Sequence, residues 1–155
     1  MNADLLILGC GYTGRCVARR FLARGARVVA TTRDPGTLAD LAEAGVTVLP
    51  AEALPHLGPR LVLHSVPPAG GPDLAALGGV PSRVVCLSST SVYGDQIEVD
   101  ATTPVAPRTE RERRRVEAEQ AIAAGPWSSL ILRSAAIYGP GRGGKIGRAS
   151  CRERV

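Results

Sequence analysis

The sequence predicts an α/β fold built on a doubly wound parallel sheet with strand order 3-2-1-4-5-6, and three observations predict it. Apolar runs of strand length alternate with segments of helical periodicity along the chain. The first run, Leu5-Leu6-Ile7-Leu8, leads directly into a GxGxxG turn, Gly9-Cys10-Gly11-Tyr12-Thr13-Gly14, and then into a helical segment. A hydrophobic content of 45% in 155 residues is enough for one domain with a packed core. Aromatic residues make up only 3%, so that core must be built from Ala, Val, Leu and Ile.

Asp4 to Leu8 reads as a short strand at the buried centre of a parallel sheet. Thr13 to Arg24 reads as a helix with Val17, Ala18, Phe21 and Leu22 on one face, stopped at Gly25. Arg27 to Thr32 is the second strand, Thr37 to Ala44 a short helix and Val46 to Leu49 the third strand. The fourth strand, Arg60 to Val66, ends at Pro67-Pro68, and only a short helix fits around Asp73 to Leu77. Arg83 to Ser88 is the fifth strand. Thr109 to Ala124 is the longest helix, opened by a capping box in Thr109-Glu110-Arg111-Glu112. Its charges are spaced for Glu110–Arg114, Arg113–Glu117 and Arg115–Glu119 pairs on a solvated face. Ser129 to Arg133 is the sixth strand. Trp127 after Gly125-Pro126 reads as a plug between helix and strand, His56 as a surface residue and Tyr93 as packing.

Composition excludes several classes. No apolar run is long enough to span a membrane, and no signal peptide is recognisable. Cys10, Cys16, Cys86 and Cys151 show no metal-ligand or disulfide spacing, so they read as reduced thiols in a cytoplasmic protein. No metal site is expected. The net charge of +5 is concentrated at the end of the chain. Residues 145–155 read as a non-native tail resembling a translated sequencing adapter, and Lys145 is the one lysine of the sequence. Without that tail the chain has 15 basic and 13 acidic residues, net +2, so the basic balance says little about nucleic acid, and acidic residues interleave the arginines of the long helix. Residues 1–144 then form one domain. A homodimer remains open.

The glycine turn points to a dinucleotide. Gly9 turns the chain off the strand, Gly11 lets a pyrophosphate approach the backbone and Gly14 lets the helix pack on the sheet. The N–H groups of the following helix start, at Tyr12 and Thr13, then face the phosphates. Past the second strand stand Thr32, Arg33 and Asp34. Thr32 and Arg33 suit a 2′-phosphate, and a carboxylate such as Asp34 suits free ribose hydroxyls, so NADP is favoured while NAD stays open. His64 and Ser65, ending the fourth strand, and Ser88, ending the fifth, fall where the cofactor is expected.

Two further segments carry a family resemblance. Leu87-Ser88-Ser89-Thr90-Ser91-Val92-Tyr93-Gly94-Asp95 resembles the SS-x-x-VYG segment of the extended short-chain dehydrogenases/reductases, the NAD-dependent epimerase/dehydratase family. Leu132-Arg133 with Tyr138-Gly139-Pro140-Gly141 is similar to that family's LR…YGPG segment. With the glycine turn, the motifs run in family order from Gly9 to Gly141. The resemblance implies a Rossmann domain followed by a C-terminal substrate lobe that this chain does not include. It implies that Ser89 holds a substrate hydroxyl or carbonyl. It also implies a Tyr and a Lys four residues apart on the long helix, at the positions held here by Arg111 and Arg115. Arg115 can still serve as a cation to the nicotinamide ribose, whereas a guanidinium at 111 is a poor acid or base near neutral pH. The resemblance is therefore to an atypical branch lacking the YxxxK pair. Two functions stay open: an oxidoreductase or epimerase acting on a small hydroxyl- or carbonyl-bearing molecule, and a non-catalytic NAD(P)-binding sensor or scaffold.

Overall fold

A computed structural model describes residues 1–67 and 74–143. The proposed tail, 145–155, and the expected helix start at Asp73 lie outside the described residues. Six strands form one sheet: β1 (Asn2–Leu8), β2 (Val28–Thr31), β3 (Thr47–Leu49), β4 (Gly58–His64), β5 (Arg83–Ser89) and β6 (Ser128–Ser134). Every pairing is parallel, and the order is β3-β2-β1-β4-β5-β6, as expected. The helices are α1 (Tyr12–Leu22), α2 (Ala39–Glu43) and α3 (Glu110–Ala123). Short 3-10 turns occupy Pro35–Leu38, Ala51–His56, Leu74–Ala76 and Thr90–Tyr93. β4 begins earlier than expected because Gly58 and Pro59 pair with Asn2 and Ala3, although neither residue is a strand former.

The alternation of side chains along the strands divides the core between the two sheet faces. Leu5, Ile7, Val28 and Ala30 pack under α1 and α2 with Ala18 and Leu41. Leu6, Leu8, Val29, Val62 and Val84 pack on the opposite face with Ile122 of α3. Fully burying a side chain such as Leu6 contributes about 1.5–3 kcal/mol, so these clusters dominate the stability of the sheet. Trp127 packs against the α3-side cluster and its indole N–H donates to the Ile122 carbonyl at 2.8 Å, which makes it the expected plug. At the sheet edge, Leu130 and Leu132 of β6 remain 46% and 41% exposed. They pair with Val85 and Leu87, which pack against the α1-side cluster.

The chain runs from β1 outward to β3, then returns to place β4 on the other side of β1. This reversal opens a crevice at the C-terminal ends of β1 and β4, the place where ligands bind in open α/β sheets.

Candidate dinucleotide and active site

Gly9 begins the site with φ of 77°. A Cβ there would sit in left-handed backbone and 2.9 Å from the Ser65 carbonyl oxygen, so glycine is required on both counts. Ser65 locks the turn to β4, its N–H donating to the Leu8 carbonyl at 2.9 Å and its hydroxyl to the Gly9 carbonyl. A Cβ at Gly14 would meet the Ile7 Cγ2 at 3.1 Å, so its absence sets how closely α1 approaches β1. At Gly11 the space is open for 4 Å. α1 has no side-chain cap and no acidic residue in its first turn. The N–H groups of Tyr12, Thr13 and Gly14 have no acceptor among the described residues. An uncapped helix N-terminus beside open backbone fits a pyrophosphate.

A cavity of about 270 Å³ lies over this turn. Gly9, Gly11, Tyr12 and Thr13 line it from the α1 side, Ser65 from β4 and Leu87, Ser88 and Ser89 from β5. Arg115 enters from α3, and Ser134, Ala135, Ile137 and Arg142 come from the end of β6 and the loop after it. Of the expected residues, Gly14, Thr32, Arg33, His64 and Arg111 are not in the lining. Gly14 is buried beneath it. His64 pairs with Leu8 and Cys86 in the sheet, and burial pushes its pKa below the ordinary imidazole value, so it is neutral near pH 7. Thr32 and Arg33 follow β2, away from the cavity. Arg33 is exposed and has no ion-pair partner among the described residues. The Asp34 carboxylate instead caps the next turn, accepting from the Gly36 N–H at 3.0 Å.

The two serines at the end of β5 do different things. The Ser88 hydroxyl donates to Glu119 Oε1 and is buried. The Ser89 Oγ accepts from the Ser91 N–H at 3.2 Å, which leaves its own proton free for an incoming oxygen. Ser89 thus caps the turn after β5 through its oxygen and can still donate its proton.

The long helix departs from the expected solvated face. The capping box is formed, Thr109 Oγ1 accepting from the Glu112 N–H and the Glu112 carboxylate accepting from the Thr109 N–H. Glu110 pairs with Arg114 at 2.9 Å, as its spacing requires. The Arg113–Glu117 and Arg115–Glu119 pairs do not form. Arg113 turns to Glu110 and to the Arg108 carbonyl. Glu119 is only 4% exposed and is taken by Arg133 of β6, whose Nε and Nη2 reach Glu119 Oε2 at 3.1 and 2.8 Å. Removing Arg133 would leave the buried Glu119 carboxylate without its cation, which is destabilising. Arg133 also donates to the Tyr93 hydroxyl at 2.9 Å, stacks over its ring and has its pKa raised, chiefly by Glu119. Tyr93, buried as expected, donates in turn to the Asp100 carbonyl at 3.0 Å. The spacing rule failed here because the competing cation comes from another element. Arg115 consequently faces the cavity with no carboxylate partner among the described residues, while Arg111 is exposed and separate from it. Burial, and then the Glu119 charge, push the neighbouring Cys86 thiol up to about 11, so it is inert.

Residues 4–89 match the family model described as NADP oxidoreductase, coenzyme F420-dependent. The chain belongs to that family. It is an NAD(P)-binding Rossmann domain whose family match spans the glycine turn through Ser89. Among solved structures it is similar to a functionally unknown conserved protein from Silicibacter pomeroyi, with 36% identity, TM-score 0.77, 91% of this chain covered and 56% of the other. It is similar as well to a protein from Methylobacillus flagellatus assigned as an NAD-dependent epimerase/dehydratase, with 34% identity, TM-score 0.73 and coverage of 90% and 56%. UDP-glucuronic acid 4-epimerase from Bacillus cereus in complex with NAD shares the fold alone, at 17% identity, TM-score 0.68 and coverage of 90% and 58%. The chain thus spans little more than half the length of these proteins. None of the curated proteins matches it. Among the described residues no group of side chains could hold a metal, and no helix is long and apolar enough to cross a membrane.

Proposed function

We propose that this chain is the cofactor-binding part of an oxidoreductase or epimerase acting on a small hydroxyl- or carbonyl-bearing substrate. The observation that carries this reading is one cavity with two walls. The uncapped start of α1 lies on one side, and Ser89, with a free hydroxyl proton, lies on the other. When bound, the nicotinamide supplies or accepts the hydride. Gly11, Tyr12 and Thr13 hold its pyrophosphate, Ser65 and Ser88 fix the strand ends beneath it, and Arg115 takes the ribose hydroxyls in place of a lysine. Ser89 donates to the substrate oxygen. Arg111 takes no part, so the YxxxK pair supplies no proton donor here.

NADP is favoured over NAD. Arg33 is free for a 2′-phosphate, Asp34 is engaged in capping, and the family description names NADP. The three described cysteines are free, which agrees with a reducing cytoplasm. Thr32 stands beside Arg33 at the ribose end, with His64 structural beneath the crevice.

The test is NADPH titration of this chain, followed by NADPH oxidation by the full-length protein across a panel of small ketones and aldehydes. NADPH binding, with turnover that Ser89→Ala abolishes while binding persists, is the expected result. A chain that binds neither NADPH nor NADH would overturn the reading.

A further inference from the structure

The loop after β6 crosses the glycine turn. The Tyr12 hydroxyl donates to the Pro140 carbonyl at 3.2 Å, joining residues 128 positions apart. Gly139 lies so close to that hydroxyl that a Cβ would collide with it. Gly139 and Arg142 close the loop on themselves, each N–H donating to the other's carbonyl, at 3.1 and 2.9 Å. The Arg142 guanidinium is thereby set over the Tyr12 ring, 5.5 Å from its centroid. It lines the same cavity as Gly11 and Thr13 and has no carboxylate partner among the described residues.

We propose that Arg142 is a further cofactor-binding residue, a guanidinium clamp that meets the dinucleotide pyrophosphate from the side opposite the α1 N-terminus. This rests on the cofactor-binding reading above. Backbone N–H groups neutralise only part of the charge on a pyrophosphate, and an arginine fork pairs with its remaining oxygens. Tyr12 serves as the platform that holds the fork in place. Arg115, on the α3 side with Ser88 and Ser89, is left for the nicotinamide end.

The test compares Arg142→Ala and Arg142→Lys with the unaltered chain in NADPH titrations at low and high salt, with inorganic pyrophosphate as competitor. The loop is exposed, and circular dichroism checks that each variant is folded. Arg142→Ala should weaken NADPH about tenfold, the size expected for one charge-assisted bond. It should also flatten the salt dependence and weaken displacement by pyrophosphate in parallel. Arg142→Lys should recover part of the loss. Unchanged NADPH affinity in Arg142→Ala overturns the inference. So does a variant that keeps its NADPH affinity and loses only the response to inorganic phosphate or pyrophosphate, since the anion then belongs to another ligand. An unaltered chain that binds no dinucleotide overturns the functional reading itself, a failure visible before any variant is made.

Discussion

Arg33 and Asp34 are adjacent in sequence and opposed in what they select. In the proposed reading the carboxylate's capping bond to the Gly36 N–H engages Asp34 and leaves Arg33 for a 2′-phosphate. Arg33→Ala should bring the NADPH and NADH dissociation constants together, mainly by weakening NADPH about tenfold. Parallel fluorescence titrations of the two cofactors check this, and equal affinities in the unaltered chain would count against it. The same scale shows which part of the site was readable. Gly9 turns the chain and Gly14 lets α1 pack on β1 as their spacing implied, because those roles follow from the missing Cβ at that point. Arg142 carried no signal. Its place in the cavity depends on a contact with Tyr12 at the far end of the chain, and no local pattern encodes such a contact.

α3 shows what local pattern can and cannot predict about an element. Its start was legible in full, since the capping box joins residues three apart. Thr109→Ala should destabilise the chain by about 1 kcal/mol, seen as a lower urea midpoint with an unchanged slope. Unchanged stability would mean the cap is redundant. The inward face of the helix was not legible. Arg115 and Glu119 are correctly spaced for a surface pair, and the rule holds only where no stronger partner competes. Arg133 is such a partner, reaching the buried carboxylate through Nε and Nη2 and delivered by a strand. The sheet order, by contrast, followed from the β-α alternation and the early glycine turn, both of which persist through errors of a residue or two in element ends.

At the scale of the molecule, several groups make stability depend on pH in one direction. Burial holds His64 below its ordinary value of 6.5. Hydrogen bonds from Thr102 hold Asp100 below 3.8, and the backbone N–H groups of Thr109 and Arg108 hold Glu112 below 4.5. In each case the unfolded chain takes up protons first as the pH falls. Stability should therefore be full above about pH 6.5, decline first through the imidazole and decline again below about 4.5. Urea midpoints from pH 8 to 4 read this, and His64→Gln should flatten the segment between 7 and 5. An unaltered slope there would remove His64 from the account. The Glu119–Arg133 pair has a different consequence. One carboxylate stands between two cations, and the strand's claim on it leaves the helix's cation open to a ligand. Arg133→Met would end that claim, and Glu119 would then be captured by Arg115 one turn away. Dinucleotide affinity should fall although residue 133 does not line the cavity, and adding Glu119→Gln should restore it. The ligand preference of this pocket is then inherited from a competition settled behind the sheet, where a substitution remote from every bound atom can reassign it.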